Sequence, residues 1–254
     1  MTRPSVSVDS TNSSPACWTE SDSIDFLNFG SAFIPERENQ HQIIRAIAAA
    51  FAKNGRFLEL CCGSGDLAKL LLDLFPDIHL DITDQSPAMV DAAKKQCANH
   101  SERVTIIQSD LSQDELPQAR GGYDVIASSL AIHHLEQNGK QRLFRKIHGA
   151  LRPGGAFVYA DMTMPLTSLG LDIAAQQWEE SVRGRSLSLY GDARAMDRFN
   201  DLKWNFYRDP AGDPSDKPAS IIDIIQWLHD AEFSTPEIHF LKAAHIVLSA
   251  VKPE

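Results

Sequence analysis

The chain has few cysteines, no long apolar run and no surplus of positive charge, and each shortage removes a class of protein. Only Cys17, Cys61, Cys62 and Cys97 occur in 254 residues, none of them in a C-x-x-C pair. A disulfide scaffold or zinc ribbon is therefore not expected, and the pattern suits a reducing, cytoplasmic compartment. The stretch from Ile43 to Phe51 is interrupted by Arg45 and too short to span a bilayer, and the N-terminus lacks the apolar core of a secretory leader. No membrane association is expected. Lys and Arg number 24 against 34 Asp and Glu, a net charge of -10 that disfavours nucleic acid as a partner, because phosphate contacts need clustered cations. There is no internal repeat. Although nine histidines are present, no H-x-x-x-H spacing or carboxylate cluster supports a metal site, and none is expected.

What is present is an ordinary globular composition, 43% hydrophobic and 23% charged, long enough for one large α/β domain with an insertion. The organising stretch is RFLELCCGSGDLAKLLL, residues 56–72. Phe57, Leu58, Leu60 and Cys61 form a short apolar run, Gly63 and Gly65 break it, and Leu67, Leu70, Leu71 and Leu74 recur at helical spacing. This reads as strand, glycine turn and helix. Glu59 and Asp66 flank the turn, and two carboxylates there would repel a pyrophosphate and suit a cationic ligand. The plainer alternative is that Asp66 only caps the helix and Glu59 points to solvent.

Taken in order, residues 1–23 are rich in Ser and Thr and are expected to form a flexible tail, with Trp18 as its one anchor. Phe26, Phe29 and Phe33 crowd the next segment, which either closes over a site or packs on the core. A helix is expected over 36–53, a strand over 78–83 with Asp84 at its carboxyl end, and a helix opened by Ser86 and Pro87. Strands follow at 104–108 and 123–129, the second with a near-continuous apolar run. A helix over 137–151 is expected to end in the turn Arg152-Pro153-Gly154-Gly155, before a strand over 156–160. This alternation implies a parallel sheet whose ligands bind beyond the strands' carboxyl ends, where Gly63, Asp84, Asp110, Ser129 and Asp161 fall. Residues 165–217 break the alternation with Trp178, Tyr190, Trp204 and Tyr207, and read as a mostly helical insertion over the site. Ser220 caps a further helix, and 237–241 with 244–251 form a closing antiparallel hairpin.

With these pieces in place, the chain resembles the class I S-adenosylmethionine-dependent methyltransferases, especially those acting on small molecules. The resemblance rests on E-L-C-C-G-S-G at 59–65, Asp84, S-D-L at 109–111, S-S-L-A-I-H-H-L at 128–135 and L-R-P-G-G at 151–155. It implies a Rossmann-like, seven-stranded, mostly parallel sheet with an antiparallel C-terminal hairpin, occupying 24–254 with 165–217 covering the substrate. It also implies S-adenosylmethionine as cofactor. Gly63 and Gly65 would bring backbone to its methionine part, and Glu59 would orient the loop or reach the ammonium through water. Asp84 would accept the ribose hydroxyls with Gln85 beside it, Asp110 and Leu111 would serve the adenine, and Ser129 would lie near the methionine end. Substrate contacts are expected from Phe33, Asp161, Trp178, Tyr190 and Tyr207. His133 or His134, after the fourth strand, is the expected proton acceptor, with an ordinary imidazole pKa near 6.5.

The resemblance leaves open a cofactor-binding protein with other chemistry or none, since cofactor motifs do not report turnover. A nicotinamide oxidoreductase is a weaker alternative: G-S-G-D-L-A also fits G-x-G-x-x-A, but Glu59, Asp66 and the histidine segment oppose it. Substrate, methylated atom and oligomeric state are not readable from this sequence.

Overall fold

The computed structural model describes residues 18–53, 55–112, 115–234 and 236–254. Most of the tail expected over 1–23, with Cys17, lies outside the described residues. Seven apolar runs become strands: β1 (Arg56–Leu60), β2 (His79–Asp84), β3 (Val104–Gln108), β4 (Tyr123–Ser129), β5 (Leu151–Met162), β6 (Glu237–Lys242) and β7 (His245–Val251). They form one sheet in the order β3-β2-β1-β4-β5-β7-β6. The pairs among β1 to β5 are parallel, and β7 runs antiparallel to both β5 and β6. This is the Rossmann-like sheet the sequence implies.

Side chains alternate across each strand, so every central strand feeds two cores. Leu58, Ile126 and Phe157 point to one, where α5 (Gln137–Ala150) contributes Leu143, Phe144 and Ile147 and α8 (Ile221–Asp230) contributes Ile224 and Leu228. Phe57, Val125 and Val158 point to the other. There α2 (Arg37–Phe51) packs Ile44, Ile47 and Ala48, α3 (Asp66–Leu74) packs Leu67 and Leu71, and α4 (Pro87–Gln96) packs Ala93. A third core is separate from the sheet's faces. It joins α1 (Glu20–Phe33) to the insertion helices α6 (Ser168–Tyr190) and α7 (Arg194–Asp201) through Phe33, Trp178 and Phe199. The insertion is helical, as its sequence suggests.

Two expectations about local structure need correction. Helix α1 starts at Glu20, inside the expected tail, because Thr19 and Asp22 cap it reciprocally and Ser23 is buried beneath Trp18. The Arg152-Pro153-Gly154-Gly155 segment is not a turn ahead of the fifth strand but an irregularity within it. Pairing slips between Tyr123↔Leu151 and Val125↔Ala156. The buried Arg152 Nε lies 2.5 Å from Asp124 Oδ1, and a Cβ on Gly155 would stand 2.9 Å from the Tyr123 carbonyl oxygen. Turn-forming residues here let a strand bulge around a buried ion pair.

Candidate active site

Strand order reverses beside β1: the chain steps outward through β2 and β3, then returns to place β4 on the other side. Such a switch point leaves a crevice beyond the carboxyl ends of β1 and β4. A cavity of about 450 Å³ lies there. Glu59, Gly63, Asp84, Gln85, Asp110, Leu111 and Ser129 all line it, which brings seven of the eight expected cofactor residues together. Gly65 is the exception: it caps α3 with φ +81°, and a Cβ there would lie 3.1 Å from the Ala93 Cα. Its missing side chain serves helix packing. Gly63, at φ +53°, meets only the Met89 sulfur at 3.9 Å and leaves its backbone open to the cavity.

The cavity's polar groups are held from behind. Asp84 accepts the Gly63 N–H at 2.9 Å and the Ser86 N–H at 3.0 Å, so the acid on β2 ties the glycine turn to the start of α4. Glu20 closes the same corner, accepting Ser86 Oγ and the Ala88 N–H, each at 2.8 Å. Glu59 does not point to solvent. It is buried, its Oε2 has no partner among the described residues, and burial pushes its carboxyl up to about 8 against the pull of Arg37. Asp66 instead faces Arg37 at 3.3 Å. Burial also raises the thiols of Cys61 and Cys62 well above their ordinary value, which keeps them inert.

A second cavity, of about 660 Å³, adjoins the first, and Trp18, Phe26, Leu130 and Ser215 line both. It runs beneath the insertion past Trp178, Phe199 and Trp204. At the junction the two histidines part company: His133 lines the second cavity and His134 the first. His133 Nδ1 lies 2.5 Å from the buried Asp161 Oδ1, and its Nε2 lies 3.4 Å from Asp216 Oδ1. The same Asp216 oxygen lies 3.1 Å from His134 Nδ1. Burial alone would lower the His133 pKa, but the Asp161 and Asp216 carboxylates outweigh it and push the imidazole up to about 10. The expectation of an ordinary imidazole near 6.5 is therefore overturned for His133.

Comparison with known proteins matches residues 57–155 to the family described as Methyltransferase domain. Over those residues, the match supports a domain of the class I S-adenosylmethionine-dependent methyltransferase type. Among its relatives is the tRNA N(3)-methylcytidine methyltransferase of Schizosaccharomyces pombe, 26% identical over 106 residues, which are 41% of this chain and 43% of that one. Another is the malonyl-[acyl-carrier protein] O-methyltransferase of Priestia megaterium, 26% identical over 126 residues, 49% of this chain and 43% of that one. The chain thus spans less than half the length of these curated relatives. A solved O-methyltransferase family protein from Burkholderia thailandensis shares the fold with a TM-score of 0.58 at 18% identity, covering 84% of this chain and 56% of that one.

The residues of this methyltransferase domain fit the family's cofactor, S-adenosylmethionine. The test is Glu59: it lines the cavity with Gly63, and its buried carboxyl carries an oxygen without a partner among the described residues, which a ligand ammonium would satisfy. The expected substrate residues fare less well. Trp178 lines the second cavity, but Phe33, Asp161, Tyr190 and Tyr207 do not. Phe33 is packed between α1 and α7 against Phe199 at 5.4 Å. Asp161 lies behind His133, and the Tyr190 and Tyr207 hydroxyls donate to the carbonyls of Asn28 and Thr163 at 3.0 Å each.

Sequence reading missed Arg37, His41, Met89, Asp216 and Lys140. The first three line the cofactor cavity from α2 and α4. Asp216 comes from the turn-rich DPAGDPSDKP segment, and the buried Lys140 fixes it in place. The Lys140 ammonium donates to the carbonyls of His133, Leu135 and Lys217, and the Lys217 N–H donates to the His133 carbonyl at 3.0 Å. A lysine inside an amphipathic helix gives no sequence sign of that role.

Proposed function

We propose that the protein transfers a methyl group from S-adenosylmethionine to a small-molecule acceptor held in the second cavity. The observation that carries this reading is the pair of joined cavities. One is lined by the cofactor residues. The other, about 660 Å³, has the size of a small-molecule pocket and is roofed by α1 and the insertion. A roofed aromatic chamber and a net charge of -10 favour a compact acceptor over an RNA such as the S. pombe relative's tRNA.

The bound cofactor supplies an electrophilic methyl group on a sulfonium. The chain's own residues would hold and align the reactants. Asp84, fixed by two backbone N–H groups, accepts hydrogen bonds from ribose hydroxyls. Glu59 supplies negative charge for the ammonium, and the open backbone at Gly63 lets the methionine part approach. Asp110 and Leu111 face the adenine end, and Ser129 the methionine end. Alignment of this kind is worth on the order of 7–11 kcal/mol of a bimolecular barrier. Trp18 and Phe26 at the neck exclude water as α1 closes the cavity's edge. His133, His134 and Asp216 stand where the two reactants meet and orient the acceptor's nucleophilic atom.

The test is transfer of label from methyl-labelled S-adenosylmethionine. One arm offers small phenols, alcohols, amines and thiols, and the other offers tRNA and ribosomal RNA. Labelled small-molecule product supports the reading. Label in RNA alone overturns the acceptor class. Cofactor binding without label in either arm points to a binding protein of the same fold.

A further inference from the structure

We infer that His133, His134 and Asp216 form a binding site for one divalent transition-metal ion, with zinc the best match, at the junction of the two cavities. Each offers one ligand atom, and the three atoms lie within 4.8 Å of one another. Asp216 Oδ1 stands 3.4 Å from His133 Nε2 and 3.1 Å from His134 Nδ1. A tetrahedral Zn²⁺ with bonds of about 2.0–2.1 Å separates its ligand atoms by about 3.3–3.4 Å. The two spacings to Asp216 match such an ion, and the two histidine nitrogens, within 4.8 Å of each other, would close on it. Two imidazoles and one carboxylate are also a donor set that first-row divalent metals accept, with a coordination position left over.

A second, independent feature points the same way. Histidine ligands characteristically hand their other ring nitrogen to a carboxylate or a carbonyl, which fixes the ring and strengthens the ligating nitrogen. His133 does this: its Nδ1 meets Asp161 Oδ1 at 2.5 Å, and Asp161 also accepts the backbone N–H groups of His133 at 3.1 Å and Met162 at 2.8 Å. Asp161 is thus fully engaged and turns His133 Nε2 toward the cluster. The third ligand is also held by backbone contacts, apart from its side-chain contacts with the histidines. Asp213 Oδ1 accepts the N–H of Ser215 at 2.9 Å, and the Lys140 ammonium and Lys217 N–H clamp the same strand of chain to His133. The three side chains are brought together before an ion arrives, and the ion on binding displaces the proton that His133 otherwise holds.

Its position gives the ion a use. His133 and Asp216 line the acceptor cavity, while His134 lines the cofactor cavity. The open coordination position would face the acceptor, whose ligand atom is then an oxygen or nitrogen donor. This use rests on the proposed methyl transfer; the binding of the ion does not.

Metal binding is read first on the untagged, chelator-washed full chain. Zn²⁺ stoichiometry by elemental analysis and Co²⁺ titration, followed by visible absorption, should both give one ion per chain. Asp216→Asn and His134→Gln should weaken Co²⁺ binding at least tenfold, and Asp161→Asn, which only turns the ring, about 10- to 100-fold. Melting curves and S-adenosylmethionine calorimetry on each variant establish that it is folded. Wild-type protein that takes up neither ion overturns the inference and leaves an ion-pair cluster. Undiminished binding in both Asp216→Asn and His134→Gln also overturns it, because the ion then sits elsewhere, as at the His100–Asp73 pair. Should a variant not fold, the wild-type stoichiometry together with the remaining variant decides. Metal uptake without S-adenosylmethionine binding would refute the proposed function alone, and the converse would refute the metal site alone.

Discussion

Replacing Glu59 with Gln should change how S-adenosylmethionine binding depends on pH, and the size of the change follows from the burial of this carboxyl. With its pKa pushed up to about 8, first by burial, Glu59 is mostly protonated at pH 7 in the ligand-free protein. A ligand ammonium favours the ionised carboxylate, so binding near pH 7 should release close to one proton from this residue. Affinity should then rise about tenfold per pH unit from roughly pH 6 to 8 and level off above, because the bound state holds fewer protons. In Glu59→Gln that slope disappears. At pH 8 the lost charge-assisted contact should weaken binding by about 1.5–3 kcal/mol, roughly 10- to 150-fold. At pH 6 ionising Glu59 already costs about 2.7 kcal/mol, so wild type and variant should nearly converge. Stability follows the same linkage with opposite consequence. A carboxyl raised in the folded state holds a proton that the unfolded chain has released, so ligand-free wild type should lose stability from about pH 4.5 to pH 8, and the variant should not. The assay is calorimetry in two buffers of different ionisation enthalpy, from pH 6 to 8.5. The ligand's own titration is common to both proteins and cancels in the difference. Equal proton counts and equal pH slopes in the two proteins would refute the placement of Glu59 at the ammonium.

Asp84→Ala should weaken S-adenosylmethionine binding by at least about tenfold, since it removes an acceptor for charge-assisted hydrogen bonds worth about 1.5–3 kcal/mol each. Unchanged calorimetric affinity in the folded variant counts against it. Gly65→Val should destabilise by about 2–5 kcal/mol, because it combines a left-handed backbone with a Cβ pressed on Ala93. Gly63→Ala should melt closer to wild type while losing cofactor affinity, and equal melting losses in the two variants would contradict the different roles assigned to these glycines. Lys140→Met should cost about 1–3 kcal/mol by stranding the Leu135 and Lys217 carbonyls, and should speed amide exchange at Asp216 and Lys217. Unaltered exchange there would mean that the ammonium is not what holds the 215–217 segment.

Much of the fold was legible because the central parallel strands carry short apolar runs, and three of them stop at residues that line the first cavity. Glycines end β1, Asp84 ends β2 and Ser129 ends β4, so the punctuation that marks a strand's end also marks the ligand side. The misreading at Arg152-Pro153-Gly154-Gly155 has the same root. Pro and Gly report that the backbone departs from regular pairing, and a bulge departs as surely as a turn does. Only the contact of Arg152 with Asp124, 28 positions earlier, decides between them. Local composition cannot carry that information.

The candidate site divides along the same line. The residues expected to hold the cofactor were legible because, Gly65 apart, they sit within three positions of the carboxyl ends of parallel strands, which the sheet brings to one edge. The acceptor side has no such rule. Its walls come from α1 and the insertion, where aromatic content measures how much apolar surface must be covered and not which way each ring turns. Phe33, Tyr190 and Tyr207 satisfy the helix-to-helix core, with the two hydroxyls spent on backbone carbonyls, and Trp178 alone of the four reaches the cavity. Asp216 shows the limit most sharply. It lies in a turn-rich segment 83 residues after His133, and it reaches the histidines because a buried lysine from α5 binds carbonyls on both segments. The chemistry of the junction is therefore specified by Lys140, a residue that touches neither cavity.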